Sequence, residues 1–449
     1  MRSRVIGFGM SFAGLLLACG SLLLPSCPAP QEPETTSPAA GEPVAAAEAA
    51  PAPDFRLDRR NWRDWFMHVY PVRDELSWQD YGWTQQVGLG AVSAAARDKA
   101  MVIWLDQGHP LGAASPAGRA LRAHWVDGSV TAAMDKLIPV ADDLRRVAQA
   151  DDAEGRFVQA MVAQVEDAAD GVVLVAAADG SVLASCAQTA DAATLLATLR
   201  DGIAAYEALD PATRRTLPEG GVASAGRIED LFPVDGLAFE VFLRDLPPAV
   251  GEGEVAPGPD HPASPTWSRD YLWFSREEMT RFLPDPSSSR LSSSGPIPDE
   301  LAARLVGLAL HDHLHGPGTP VPPEAIQGAS LRLRTQASTR THRHYMIEGE
   351  VSWQVGEGAS AYGMEIKLMG KAQWAKEAGE FSLMEIVGEG WRRGEEPGSG
   401  RAGDDPGHAL GFALRRVLSV DGWHRVPPAA FDQYPAGWPV AGDEDGAPR

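Results

Sequence analysis

Two hydrophobic rhythms divide the chain. From Phe55 to about Arg215, short apolar runs alternate with stretches of helical period. "AMVIWLD" (Ala100 to Asp106) and "LIPVADDL" (Leu137 to Leu144) have the length and composition of strands. Between them Ser115 and Pro116 predict a helix start, with the serine as N-cap and the proline at the first helical position, where its missing N–H costs nothing. "GVVLVAAADGSVLAS" reads as two strands joined at Asp179-Gly180, a strong hairpin signal. "DAATLLATLRDGIAAYEAL" then puts Leu195, Leu196, Leu199 and Ile203 on one helical face. The predicted order over 55–215 is strand, helix, strand, helical stretch, hairpin, helix.

Residues 216–323 read as a mixed connecting segment. "LAFEVFLRDLP" (Leu237 to Pro247) has strand character, and "VGEGEVAPGPDHPASPT" is a Pro/Gly loop. Ser275 and Glu278 have capping-box spacing, which predicts a short helix to about Leu283 before Pro284. After the low-complexity "PSSSRLSSSG", the stretch "IPDELAARLVGLALHDHLHG" predicts an amphipathic helix closed by Gly316, with Leu301, Leu305, Leu308 and Leu310 apolar. From Ala329 the period changes to two. Tyr345, Ile347, Val351 and Trp353 alternate with polar neighbours, as do Tyr362, Met364, Ile366, Leu368 and Trp374, and then Phe381, Leu383 and Val387. This predicts an antiparallel sheet over 324–432 with one buried and one wet face. "HALGFALRRVL" would cover it as a helix or strand, and a disordered tail is expected over 433–449. The fold class is α+β.

The amino terminus adds location. Arg2 and Arg4 precede an apolar run from Val5 to Ala18, the arrangement of an export signal over 1–27, too short for a comfortable membrane span. Cys19 in "LLAC" and Cys27 in "LPSC" both resemble the lipobox cysteine of bacterial lipoproteins. Cys19 fits better, because Pro25 before Ser26 is unusual there; an ordinary cleaved signal or an uncleaved anchor is the alternative. Residues 28–54 are rich in Pro, Ala and Glu, carry no Lys or Arg and cannot bury a core, so they read as a disordered tether. An exported protein follows, anchored to a membrane by lipid and facing the periplasm or cell exterior.

Charge and cysteine usage then remove function classes. With 39 basic against 61 acidic residues the net charge is −22, which disfavours nucleic acid and anionic lipid headgroups as partners. Two of the 3 cysteines sit in the leader, so Cys186 stands alone in the mature chain; neither an intramolecular disulfide nor a dithiol cycle within one chain is available.

The predicted order, and "VVLVAAADGSVLAS" leading into a last helix, resembles the thioredoxin fold. "YPVRDELSWQDYGW" (Tyr70 to Trp83) with "GHPLG" (Gly108 to Gly112) resembles a group of exported, thioredoxin-like bacterial proteins. The resemblance implies a thioredoxin-like domain over 55–215, with an active-site loop after "AMVIWLD". It also implies a cysteine directly after "GHPLG" and, two residues on, a cysteine or selenocysteine. Here those positions hold Ala113 and Ser115, and the proline such a fold places before the hairpin strand is replaced by Gly171 or its neighbours. A helix N-terminus that would stabilise a thiolate has no thiol to act on. The enzyme reading therefore leans to no.

Several side chains remain as candidates. The loop with His109, Pro110, Ala113 and Ser115 is either a ligand or partner surface at a helix N-terminus, with His109 able to titrate, or a degenerate site in which Ser115 only caps a helix. His311 and His315 have the i, i+4 spacing that holds a transition metal on a helix, with Asp312 between them and His342 and His344 as further donors; no glutamate base completes an HExxH motif. A solvated helix end is the plainer account, and no cofactor is required. Cys186 among small residues reads as inert. Trp62, Trp65, Trp78, Trp83, Trp267, Trp273, Trp353 and Trp374 read as core rather than as a carbohydrate platform. The expected function is a binding or scaffolding module at the cell envelope, partnered by an envelope protein or small ligand. The alternative is a thioredoxin-like oxidoreductase or a metal-dependent enzyme with an unrecognised site.

Overall fold

The structure, a computed structural model, describes residues 55–218, 222, 227–246, 266–284, 294–315, 318–399, 401, 409–418 and 424–438. The leader with Cys19 and Cys27, the tether, most of the Pro/Gly loop and of the connector, and the tail beyond 438 lie outside these residues. The described residues belong to one compact unit, Pro53–Arg449.

The first half is built around a four-stranded mixed sheet. Three helices lead in: α1 (Trp62–Val69), α2 (Arg73–Leu76) and α3 (Val87–Arg97). They are followed by β1 (Ala100–Asp106), α4 (Pro116–Trp125), α5 (Gly128–Met134), β2 (Leu137–Asp143), α6 (Leu144–Val147) and α7 (Ala153–Val162). β3 (Gly171–Ala176), β4 (Val182–Ala187) and α8 (Ala192–Ala208) close the segment. The strand order is β2-β1-β3-β4, with β1 parallel to β2 and β3 antiparallel to both β1 and β4. β1 is buried along its whole length because both faces are covered. Val102 and Trp104 meet Trp125, Leu195 and Leu199 on one side. Met101, Ile103 and Leu105 meet Ala91, Val158 and Met161 on the other. The α4 start is as expected, since Ser115 Oγ accepts from the Gly118 N–H at 3.1 Å.

The second half forms an eight-stranded antiparallel sheet. Its strands are β5 (Leu237–Asp245), β6 (Trp267–Phe274), β7 (Ser294–Pro296), β8 (Ile326–Ser338), β9 (His342–Val355), β10 (Tyr362–Ala375), β11 (Glu380–Arg393) and β12 (Ala409–Arg416), in the order β6-β5-β12-β11-β10-β9-β8-β7. "HALGFALRRVL" is thus a strand inside the sheet, not a cover. The segment expected to connect supplies β5, β6 and β7, so the sheet spans what the sequence divided at 323. Helices α9 (Arg276–Arg281) and α10 (Asp299–Ala309) pack on the same face as Tyr345, Ile347, Val351 and Trp353.

Three expectations change. The opposite face is covered in part, because Trp65, Phe66 and Val69 of α1 pack on Phe242, Val387, Ala409 and Ala413. Val387 belongs to that face because the β10–β11 register shifts between Gln373 and Trp374, after which Met384 and Ile386 take the inward positions and Leu383 is only partly buried. The expected tail also begins inside the fold, with Tyr434 and Trp438 packed against Trp273 and the Trp438 indole donating to Glu278 at 3.0 Å.

Candidate functional site

The loop after β1 is locked from below and covered from above. Asp106, fully buried, accepts from the Ser115 N–H at 2.8 Å and from Gln188 Nε2 at 2.7 Å. The same Gln188 amide reaches Ser115 Oγ at 2.8 Å and the Asp170 carbonyl at 2.9 Å. Gly118 in the first turn of α4 leaves no room for a Cβ beside the Asp106 carboxylate, and Gly108, at φ +112°, lies against the Ala113 carbonyl. His109, Leu111 and Ala114 are buried, as are Pro110 and Gly112, and Gly112 faces Val426 and Tyr271 of the second half. Arg122 of α4, 3% exposed, draws the loop inward by donating to the Pro110 carbonyl at 2.7 and 3.2 Å and to the Gly112 carbonyl at 2.6 Å. Ala113 and Ser115 between them are half-buried.

His109 points away from those positions, into a polar cluster at the carboxyl ends of β1 and β2. Its Nδ1 accepts from the Leu111 N–H at 3.1 Å, while Nε2 is buried without a partner. One donor atom each of His109, Asp142 and Glu229 lie within 4.8 Å of one another, and all three residues are buried. Arg227 joins the carboxylates: its guanidinium donates to Asp142 at 3.0 Å, Glu154 at 2.6 Å and Glu229 at 3.0 Å. It also donates to the Gln85 carbonyl at 2.7 Å. A cavity of about 310 Å³ opens beside them, lined by Asp142, Arg146, Glu154, Arg227 and Glu229.

Burial sets the protonation here. It holds the His109 imidazole well below its ordinary pKa, helped by the charges of Arg146 and Arg227. It drives the Asp142 carboxyl well above its ordinary value against the pull of Arg227, with Glu229 and Glu154 adding repulsion. The Arg227 guanidinium is held above its usual range by Asp142, Glu229 and Glu154, which outweigh its desolvation. The cluster sets a buried acid beside a buried imidazole. It has the donor types for a divalent cation, but two features oppose one. Arg227 already occupies the carboxylates, and the Leu111 N–H places the His109 lone pair on Nδ1, so Nε2 carries the proton instead of a free ligand pair.

The histidines expected to pair on a helix do not. α10 ends at Ala309, so His311 and His315 lack the one-turn relation of i and i+4. His315 Nε2 bonds Asp245 at 2.8 Å, His313 Nδ1 bonds Ser268 at 2.9 Å, and Asp312 pairs with Arg401. Burial lowers the His311 pKa to about 4 and holds that of His313 well below its ordinary value. His342 and His344 sit at the start of β9, their rings 6.3 Å apart. Cys186 on β4 is partly buried, with its thiol pKa raised by that burial. Trp78, Trp83, Trp104 and Trp125 form one internal cluster, with ring centroids 5.3 to 6.0 Å apart.

A larger cavity, about 600 Å³, lies on the outer side of α4, where Arg119, Arg122, Ala123 and Val126 face Trp267 and Leu314. Sequence reasoning missed Asp142, Arg227, Glu229, Arg119 and Arg122. Paired acids ending the apolar run of β2 were a readable signal for Asp142. Arg227 lies 85 residues further on and carried none.

No protein-family model, curated protein or solved structure matches the chain.

Proposed function

We propose that the chain is a non-redox binding module of the cell envelope, built on a thioredoxin-like scaffold whose active-site loop has become a structural plug. The carrying observation is the fate of that loop. Ala113 and Ser115 stand where a redox pair would, and the peptide around them is fixed by Asp106, Gln188 and Arg122 beneath the second sheet. The scaffold reading is supported by the β2-β1-β3-β4 order with β3 reversed, and by α8 packing across that sheet. A lipid anchor at Cys19, with Cys27 as the other candidate, agrees with the leader sequence and its tether.

Insulin reduction by the purified mature chain in the presence of dithiothreitol tests the loop. The rate expected is that of dithiothreitol alone, and turnover above it would sink the reading. Crosslinking in the native envelope tests the partner: a captured envelope component supports the module, and a chain that remains alone counts against it. Palmitate labelling lost in Cys19→Ser is the expected mark of the anchor.

A metal-dependent enzyme is the second reading, favoured by the grouping of His109, Asp142 and Glu229. Arg227 and the proton on His109 Nε2 weigh against it. Metal analysis after dialysis is expected to give no stoichiometric zinc or copper; one ion per chain, lost in His109→Ala, would promote it.

A further inference from the structure

The cavity outside α4 is lined by two arginines, Arg119 and Arg122, that are in direct contact with no carboxylate among the described residues. Arg122 lies between the rings of Trp78 and Trp267, 5.3 and 5.5 Å from their centroids, and its polar contacts are to the Pro110 and Gly112 carbonyls only. Its Nη1 is buried with no partner. Arg119, three residues earlier on the same face of the helix, donates to the Ala114 and Leu314 carbonyls. Neither guanidinium forms an ion pair among the described residues, although the chain as a whole carries an excess of acids. Burial holds the Arg119 pKa down to about 10 against the pull of Asp106 and Asp312, and burial with the charges of Arg269 and Arg119 holds that of Arg122 down to about 9 against Asp106. An uncompensated buried cation is costly, and an anion brought from outside would remove that cost.

The rest of the wall fits the body of such an anion. Trp267, Leu314, Val126, Ala120, Ala123 and Pro116 give it an apolar surface, and a volume of about 600 Å³ lies in the range of small-molecule sites, roughly 300–1,000 Å³. The acids at the cavity do not cancel the arginines. Glu75 is held by Arg244 at 2.9 Å, and Asp74 is exposed to water at the rim. His315 is engaged with Asp245.

We propose that this cavity binds an organic anion, a carboxylate, sulfonate or phosphate on an aromatic or aliphatic body, with its head at Arg119 and Arg122 and its body along Trp267. The site deepens the binding-module reading by naming where a ligand sits, and it rests on that reading only for its purpose in the cell. Insulin turnover would overturn the plugged loop and leave the cavity intact; the experiment below tests the cavity alone.

The probes are anilinonaphthalene sulfonate and its neutral counterpart N-phenylnaphthylamine, titrated by fluorescence into the folded mature protein. Saturable binding of one sulfonate per chain is expected. Arg119→Gln is expected to weaken the sulfonate about tenfold or more and to leave the neutral probe nearly unchanged. Ala123→Trp, on the exposed face of α4, would fill the cavity and abolish binding of both. Because Arg119 also holds two carbonyls, circular dichroism of each variant must match the parent before titration, and Arg119→Lys is expected to keep at least part of the affinity that Arg119→Gln loses. No saturable binding, equal sulfonate affinity in the parent and both Arg119 variants, or binding indifferent to Ala123→Trp would each overturn the proposal.

Discussion

Gln188 does more than its position after a hairpin strand would indicate. One amide, 2% exposed, ties the end of β1, the cap of α4 and the turn before β3 through Asp106, Ser115 and the Asp170 carbonyl. Replacing it with leucine leaves the Asp106 carboxylate buried with a donor missing, and Gln188→Leu should cost roughly 2–4 kcal/mol of stability in chemical denaturation. A second residue makes a pH-dependent case. Asp270, buried in β6, accepts from the Tyr271 and Ala429 N–H groups at 2.7 and 3.0 Å, yet burial raises its pKa to about 7. A carboxyl raised above its unfolded value, near 4, contributes stability that is complete below that pH and is lost as pH rises through 7. Asn keeps the acceptor oxygen without the charge. Asp270→Asn should therefore be more stable than the parent by about 2–4 kcal/mol at pH 8, with the gap closing toward pH 4. A gap that stays constant with pH would assign the effect to packing instead.

At the scale of elements, the loop and α4 act as one piece. Ser115 caps the helix, Arg122 reaches back to the loop carbonyls, and Val426 and Tyr271 lie over Gly112. Ala113→Cys combined with Ser115→Cys is expected to reduce insulin no faster than the parent, because Arg122 holds the loop carbonyls inward and Val426 and Tyr271 pack against Gly112. The start of this element was legible, since Ser-Pro before a helical period has a local cause. Its burial was not, because Val426, Tyr271 and Trp267 come from distant sequence. The end of α10 shows the opposite failure. The apolar spacing of Leu301, Leu305 and Leu308 gave the helix, but Asp312 and His313 leave it to meet Arg401 and Ser268, and no helical signal between Ala309 and Gly316 announces that departure. Alternation gave β9 and β10 their faces correctly, while a bulge opposite Trp374 carried Val387 to the other side.

For the whole molecule, the buried core is continuous between the two sheets. Trp104 and Val173 of the first belong to the same apolar cluster as Phe239, Trp273 and Ile347 of the second. The sequence divides the chain at 215 and 323 but leaves the packing of its parts open, because the shared core is made by side chains whose spacing each half would also need if it stood alone. Shared burial couples the halves, so denaturant unfolding followed by tryptophan fluorescence and by far-ultraviolet circular dichroism should give one coincident transition. Two separated midpoints would restore the independent domains. Among the described residues no helix is long and apolar enough to cross a membrane.

The way the described chain begins has a mechanical consequence. The backbone N–H groups of Arg56 and Leu57 both end on the Glu389 carboxylate at 2.8 Å, and α1 then lies across β11 and β12. A pull transmitted from upstream of Phe55 meets those two bonds and one short helix before it meets any strand ladder. Under load this strap should peel away first, while the ladders of both sheets still hold.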